Sequence, residues 1–234
     1  MKGEFIENPY ELHKTYMKSN MTGGNYQMAL VEDLRVFLER ALKFHGHVCS
    51  GQSLGYRMVV AGIREAGIVT PEQRDNAVAF VEVGGCIADA IQISAGITLG
   101  HGTLKFYDYG KFAATFLNPD TGEAVRVVQM KDANDEALAY AKERGWTTKE
   151  LDKISEEESA ELMVRAYGEM PEDRIFTIRK VRVNLPPEEV ERGYKHIAIC
   201  SSCGEMVFRR REIVKDGKAY CRSCLQGAYY SFKN

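Results

Sequence analysis

No stretch of this chain is apolar for the ~20 residues that a membrane-crossing helix needs, so a membrane-spanning role is not expected. The opening MKGEFIENPYELHK has no apolar run after its first lysine; a secretory leader is not expected there, and a cytoplasmic location is. Internal repeats and low-complexity tracts are absent, which excludes solenoids and disordered arrays. Charge of one sign is lacking too, since 31 basic and 33 acidic residues leave a net charge of -2. What is present is a chain of 234 residues, 44% hydrophobic, long enough to bury a substantial core and carry one small appended module.

The small net charge hides an uneven distribution. Residues 195–234 hold eight basic and three acidic groups, whereas residues 131–173 hold six basic and thirteen acidic ones. The basic C-terminal part, with its Arg209-Arg210-Arg211 run, suits contact with RNA or DNA. The same balance fits a small module with its charge at the surface, or one that docks on the acidic segment or on a partner, and aromatic interleaving is missing.

Four cysteines dominate the C-terminus. Cys200-x-x-Cys203 and Cys221-x-x-Cys224 are separated by seventeen residues, the spacing of a four-thiolate zinc site. Between the knuckles, GEMVFRRREIVKDGKAY reads as a short hairpin turning at Asp216-Gly217. After them, LQGAYYSFKN reads as a terminal helix with Cys221 and Cys224 in its first turn. This order of parts is that of a treble clef or zinc ribbon. Two disulfides would use the same residues only in an oxidising compartment, to which nothing else here points.

Upstream, hydrophobic periodicity predicts a helix over 28–44 with Leu30, Leu34, Phe37, Leu38, Ala41 and Leu42 inward, ending at Gly46. A second helix runs from Ser50 to a stop at Gly67, burying Leu54, Met58, Ala61 and Ile63. Its Gly51, Gly55, Ala61 and Gly62 leave room for another backbone. Residues 76–83 read as a buried strand, and a third helix begins at Cys86 after Gly84-Gly85 and breaks at Gly96. Strands follow near 103–110, 111–118 and 123–130, the last two joined by a turn over 118–122. Residues 132–170 turn polar and helical, with capping boxes at Thr147/Glu150 and Ser155/Glu158. Residues 173–185 alternate as a strand, and Pro186-Pro187 opens a linker. The fold class is therefore α+β, a mixed sheet with packed helices. The expected division is a core over 1–185 with an acidic helical insertion at 131–172, a linker over 186–198 and a zinc-binding domain over 199–234.

A second constellation lies between the first two helices: His45-Gly46-His47-Val48-Cys49-Ser50-Gly51. An extended chain would point His45, His47 and Cys49 the same way, and a helical one would pair His45 with Cys49. Either arrangement suits a transition metal or a reactive thiolate with a histidine base. Cys49 and Cys86 each precede or open a helix, where the dipole is expected to favour thiolate. Asp89, one turn past Cys86, would orient an imidazole from behind. His101, Tyr107, Asp108 and Tyr109 are candidate rim residues. Buried, inert cysteines are the alternative.

FHGHVCSGQSLGYRM, GGCIADAIQISAGITLGHGTLKFYDYGKFAATF and the four-cysteine module together resemble the FmdE family, named for a component of molybdenum or tungsten formylmethanofuran dehydrogenase. The resemblance covers residues 28 to about 130, resumes near 173–185 and includes the zinc module. Ser50 stands where proline is frequent after the motif cysteine. The resemblance implies an α+β core, often dimeric, whose cleft holds a metal through His45, His47, Cys49 and Cys86, with Asp89 behind them. It implies a context of carbon dioxide reduction to the formyl level and one-carbon metabolism, with formylmethanofuran dehydrogenase subunits as partners and a homodimer as the assembly. The chain has no pterin-binding pattern and no ferredoxin-type cysteine spacing, which favours an accessory role over catalysis. The expected cofactors are structural zinc and a second transition metal in the core. An enzyme using Cys49 and a regulatory or scaffold protein binding nucleic acid or protein are the alternatives.

Overall fold

The computed structural model describes residues 33–190 and 196–233; Leu30, expected on the first helix, lies outside them. Helix α1 (Leu34–His45) begins at Asp33, whose carboxylate accepts from the Arg35 N–H at 2.8 Å. Gly46, at φ +91°, closes it in the left-handed conformation. Phe37 and Ala41 are fully buried. Leu42, expected to join them, is half exposed, because α1 packs through the narrow Phe37/Ala41 stripe and residue 42 sits about 100° further round the helix.

Helix α2 (Ser50–Glu65) is central, and its buried residues include Gln52, Ser53, Leu54, Met58, Ala61 and Ile63. Its glycines permit this. A Cβ at Gly55 would lie 2.6 Å from the Ala90 Cβ, and one at Gly62 would overlap the Phe116 ring. Helix α3 (Pro71–Asn76) takes Asn76 from the expected strand. It carries a complete capping box, with Thr70 and Gln73 each holding the other's backbone N–H. Strand β1 (Val78–Val81) follows, then α4 (Cys86–Ala95), which Gly96 ends at φ +69°.

Strands β2 (Leu104–Phe106), β3 (Ala113–Leu117), β4 (Ala124–Gln129) and β5 (Phe176–Val181) complete a five-stranded sheet ordered β2-β1-β3-β4-β5. Only β1 and β2 are parallel, so the sheet is mixed as expected. Ala79, Val81, Ala114, Phe116, Val125 and Val127 join the main core with α1, α2 and α4. On the opposite face Val78, Phe80, Leu117 and Ala124 form a smaller cluster, covered by Tyr107, Val181, Val183, Leu185 and Val190.

Between β4 and β5 run α5 (Ala133–Glu143) and α6 (Glu156–Glu169). Ser155 caps α6 by accepting from the Glu158 N–H, but no helix starts at Thr147. That hydroxyl accepts from the Lys149 N–H, and Glu150 pairs with Lys142. The acidic segment closes the core: Ala133, Ala137, Ala166, Tyr167 and Met170 are fully buried. Burial also raises the Tyr167 phenol to about 12.

A short helix, α7 (Pro187–Val190), precedes the C-terminal module of β6 (Ile197–Ile199), β7 (Met206–Phe208), β8 (Ile213–Lys215), β9 (Lys218–Tyr220) and α8 (Arg222–Gln226). The β8–β9 hairpin turns at Asp216-Gly217, both at positive φ, as a two-residue I′-type turn requires. One knuckle lies in the β6–β7 hairpin and the other at the start of α8, the expected order of parts, but the helix is shorter than expected: Cys221 is its N-cap and Gly227, at φ +96°, ends it after Gln226. The module meets the core through its arginines. Arg211 pairs with Glu189 at 2.6 Å, and the Arg209 guanidinium lies over Gly102 and reaches the Gly100 carbonyl at 3.4 Å. The run expected as a nucleic-acid patch thus spends Arg209 on the core and Arg211 on the linker helix α7, and neither meets the 131–173 segment in these contacts.

Candidate metal centres

The core cluster is built by the α1–α2 corner meeting the start of α4. His45 is the last residue of α1. Gly46 reverses the chain in a left-handed turn, and Cys49, extended at φ −141°, caps α2. The local path is neither fully extended nor helical, yet ligand atoms of His45, His47 and Cys49 all lie within 4.8 Å of one another. Cys86 arrives from α4. Gly85 before it has φ +94° and ψ −149°, which non-glycine residues do not adopt cheaply. Gly51 lets it approach, since a Cβ there would lie 2.9 Å from the Cys86 Cβ.

The Cys86 Sγ lies 3.5 Å from the Cys49 Sγ and 3.6 Å from the His45 Nε2. Ligands bound to one tetrahedral ion at 2.0–2.3 Å stand about 3.3–3.8 Å apart, so these spacings fit a single metal. The Asp89 Oδ2 lies 2.7 Å from the His45 Nδ1. A carboxylate can only accept, so Nδ1 carries the proton and Nε2 presents its lone pair to the thiols. Gln52, fully buried, donates to the Cys86 carbonyl at 3.3 Å and leaves its Oε1 without a partner among the described residues. Sequence reasoning missed Gln52, whose only signal is an amide within a largely buried helix.

Cys86 behaves opposite to the helix-start expectation. Burial, reinforced by the neighbouring Cys49 thiol, pushes its pKa up to about 11 in the metal-free protein. Desolvation of the thiolate and a second thiol outweigh the short α4 dipole. The rim residues also fall elsewhere. Tyr107 packs on the opposite face of the sheet, near Tyr109, and His101 is exposed in the turn that meets Arg209. The cluster instead lies beyond the carboxyl ends of the parallel β1–β2 pair, with the Phe106 ring beside Gly84.

In the second centre, Cys200, Cys203, Cys221 and Cys224 converge within 4.8 Å. Backbone N–H groups of Cys203 and Cys221 donate to the Cys200 sulfur, the latter at 3.2 Å, and lower its pKa to about 6. The Ser223 hydroxyl, 3.0 Å away, lowers Cys221. The other two run the opposite way: the Cys221 sulfur raises Cys224, and against the Glu205 N–H, burial and neighbouring thiols push Cys203 up to about 12. Four crowded sulfurs of this kind suit a structural zinc ion, whose charge offsets their repulsion. His196 and Glu212, 2.7 Å apart, tie β6 to the start of β8 beside it.

Fold and sites together define an α+β protein with a histidine–cysteine cluster in its core and a four-cysteine zinc-binding module at its C-terminus. Residues 44–177 match the family described as FmdE, Molybdenum formylmethanofuran dehydrogenase operon, and the chain belongs to that family. Residues 192–230 match the prokaryotic dksA/traR C4-type zinc finger. A protein of Archaeoglobus fulgidus described as a probable S-adenosyl-L-methionine-binding protein is 30% identical over 239 residues, covering 93% of this chain and 62% of its own length. The chain therefore spans less than two thirds of that relative. A solved crystal structure, that of a tungsten formylmethanofuran dehydrogenase FmdE-like protein from Syntrophus aciditrophicus, superposes with a TM-score of 0.56 at 25% identity, covering 90% of this chain and 100% of the other. No helix among the described residues is long and apolar enough to cross a membrane.

Proposed function

We propose that this protein is a metal-binding accessory factor or loosely held subunit of a formylmethanofuran dehydrogenase system, serving one-carbon metabolism through the core cluster. One observation carries this reading: His45, His47 and Cys49 bring ligand atoms within 4.8 Å of one another, Cys86 from a separate element lies 3.5–3.6 Å from Cys49 and His45, and Asp89 fixes the tautomer of His45. Membership of the FmdE family, and likeness to a solved protein whose description names that dehydrogenase, supply the context.

His45, His47 and Cys49 would hold a borderline transition ion, with Cys86 as a fourth ligand or as a thiol beside an open position. Such an ion supplies Lewis acidity toward an oxygen or sulfur atom of a bound ligand. The chain's own part is to present the Nε2 lone pair, through Asp89, and to keep Cys86 half buried among α1, α2 and α4.

The test is elemental metal content per chain on protein purified without chelator or nickel resin, for wild type and for a His47→Ala, Cys49→Ser double variant. Two metals in wild type and one in the variant are expected. One metal in both, confined to the four-cysteine module, overturns the reading.

A further inference from the structure

We infer that Cys49 and Cys86 are a reversible dithiol–disulfide pair, so that the core site is closed by oxidation as well as filled by metal. The consequence for metal rests on the core-site reading above; the pairing of the thiols does not. Three features argue for it. The two sulfurs are 3.5 Å apart on different elements, at sequence positions 37 residues removed. Both residues are half buried, so a small oxidant reaches them, unlike thiols locked in a core. Both also sit at helix starts, Cys49 at the α2 cap and Cys86 directly after Gly85, on two elements that Gly51 lets approach closely.

Closing the remaining gap to the ~2.05 Å of a disulfide draws the two sulfurs together across the α2–α4 contact that the bare Gly51 permits. With a low-molecular-weight disulfide as oxidant, the Cys49 thiolate attacks one of its sulfurs and expels the first thiolate. The Cys86 thiolate then attacks the Cys49 sulfur of the mixed disulfide and expels the second. The protein loses two protons and two electrons, and the reagent leaves as two thiols. A disulfide sulfur is a poor ligand compared with a thiolate, so the oxidised site keeps only its imidazoles and releases its ion.

The test treats full-length wild type, Cys49→Ser and Cys86→Ser with oxidised glutathione. The remaining thiols are then alkylated and the peptides mapped, with metal counted before and after. A peptide pair linked through Cys49 and Cys86 is expected in wild type alone, disappearing on reduction. Alkylation of both cysteines after oxidation, or linkage of either to the C-terminal module instead, overturns the pairing. The metal count before oxidation judges the core-site reading separately. Where it shows a core ion, loss of that ion in wild type on oxidation and its return on reduction are expected, and retention beside a formed disulfide overturns the closing of the site.

Discussion

Asp89 reaches the core cluster by a hydrogen bond to His45, and its charge also disfavours the Cys86 thiolate, so substitutions there test support of the ligands and not ligation itself. The 2.7 Å bond to Nδ1 holds the ring with Nε2 toward Cys86. Asp89→Asn keeps an acceptor but removes the charge; Asp89→Ala removes both. Core metal affinity is expected to fall about 10-fold in the first and nearer 100-fold in the second, measured by competition with a chromophoric chelator. Unchanged circular dichroism would confirm that the loss is local, and wild-type affinity in Asp89→Ala would show that Asp89 plays no part. The His45, His47 and Cys49 grouping is legible in the sequence because it is short-range: alternate residues on one corner cannot stray far apart. Cys86 enters the site by analogy with Cys49, and what brings it there, the crossing of α2 over α4 at Gly51 and Gly55, is a packing fact that spacing does not encode. Its ionisation runs against the sequence expectation because a helix start is visible in sequence and desolvation is not.

At the scale of elements, one side chain ties the end of α6 to α2. Arg57 of α2 donates to the carbonyls of Tyr167, Gly168 and Met170 at 2.9–3.1 Å, satisfying acceptors that the C-terminus of α6 leaves open. Arg57→Ala strands these carbonyls beside the core and is expected to cost about 2–4 kcal/mol in urea unfolding; a loss under about 0.5 kcal/mol would show that water replaces the guanidinium. Arg174 fastens α5 differently, through exposed pairs with Glu136 and Glu143. Its hydrogen bond holds the Glu143 carboxyl below the usual range. A depressed carboxyl stabilises the fold above its unfolded pKa, and this contribution disappears as pH falls through the lowered value. The melting-temperature gap between wild type and Arg174→Gln should therefore be small at pH 7, narrow toward pH 3 and shrink in 1 M salt. A gap independent of both would assign Arg174 to packing on Tyr140 instead. The acidity of 131–173 reads as an excursion because charge reports the wet side of a helix. Ala133, Ala137, Ala166 and Tyr167, on the dry side, are the weaker signal. Thr147 and Glu150 match a capping box in letters only, since Trp146-Thr147 continues from the turn after α5.

For the molecule as a whole, the open question is how the zinc module is held against the core. Lys105 of β2 is buried near Arg209, Arg211 and Glu189, and burial, with the two arginines next, lowers its pKa. Three cationic groups and the Glu189 carboxylate thus meet where the module abuts the sheet edge. Removing that carboxylate takes a counter-charge away from this group of cations in a partly dry place, whereas removing Arg211 takes away one of the cations along with its bond. Glu189→Gln is therefore expected to loosen the module more than Arg211→Ala. Partly exposed pairs of this kind are worth about 1 kcal/mol, a factor near five in the open population. Limited proteolysis should cleave between residues 186 and 196 about five-fold faster in Glu189→Gln, while zinc content stays at the wild-type level. The difference should diminish in high salt, because screening relieves the repulsion that opens the variant. Equal cleavage of wild type and Glu189→Gln would mean that the Arg209 guanidinium over Gly102, and not the charge cluster, carries the docking. Gly102→Ala, which puts a Cβ 2.8 Å from Nη2 at a backbone φ of +72°, would then displace the guanidinium and speed cleavage more than Glu189→Gln.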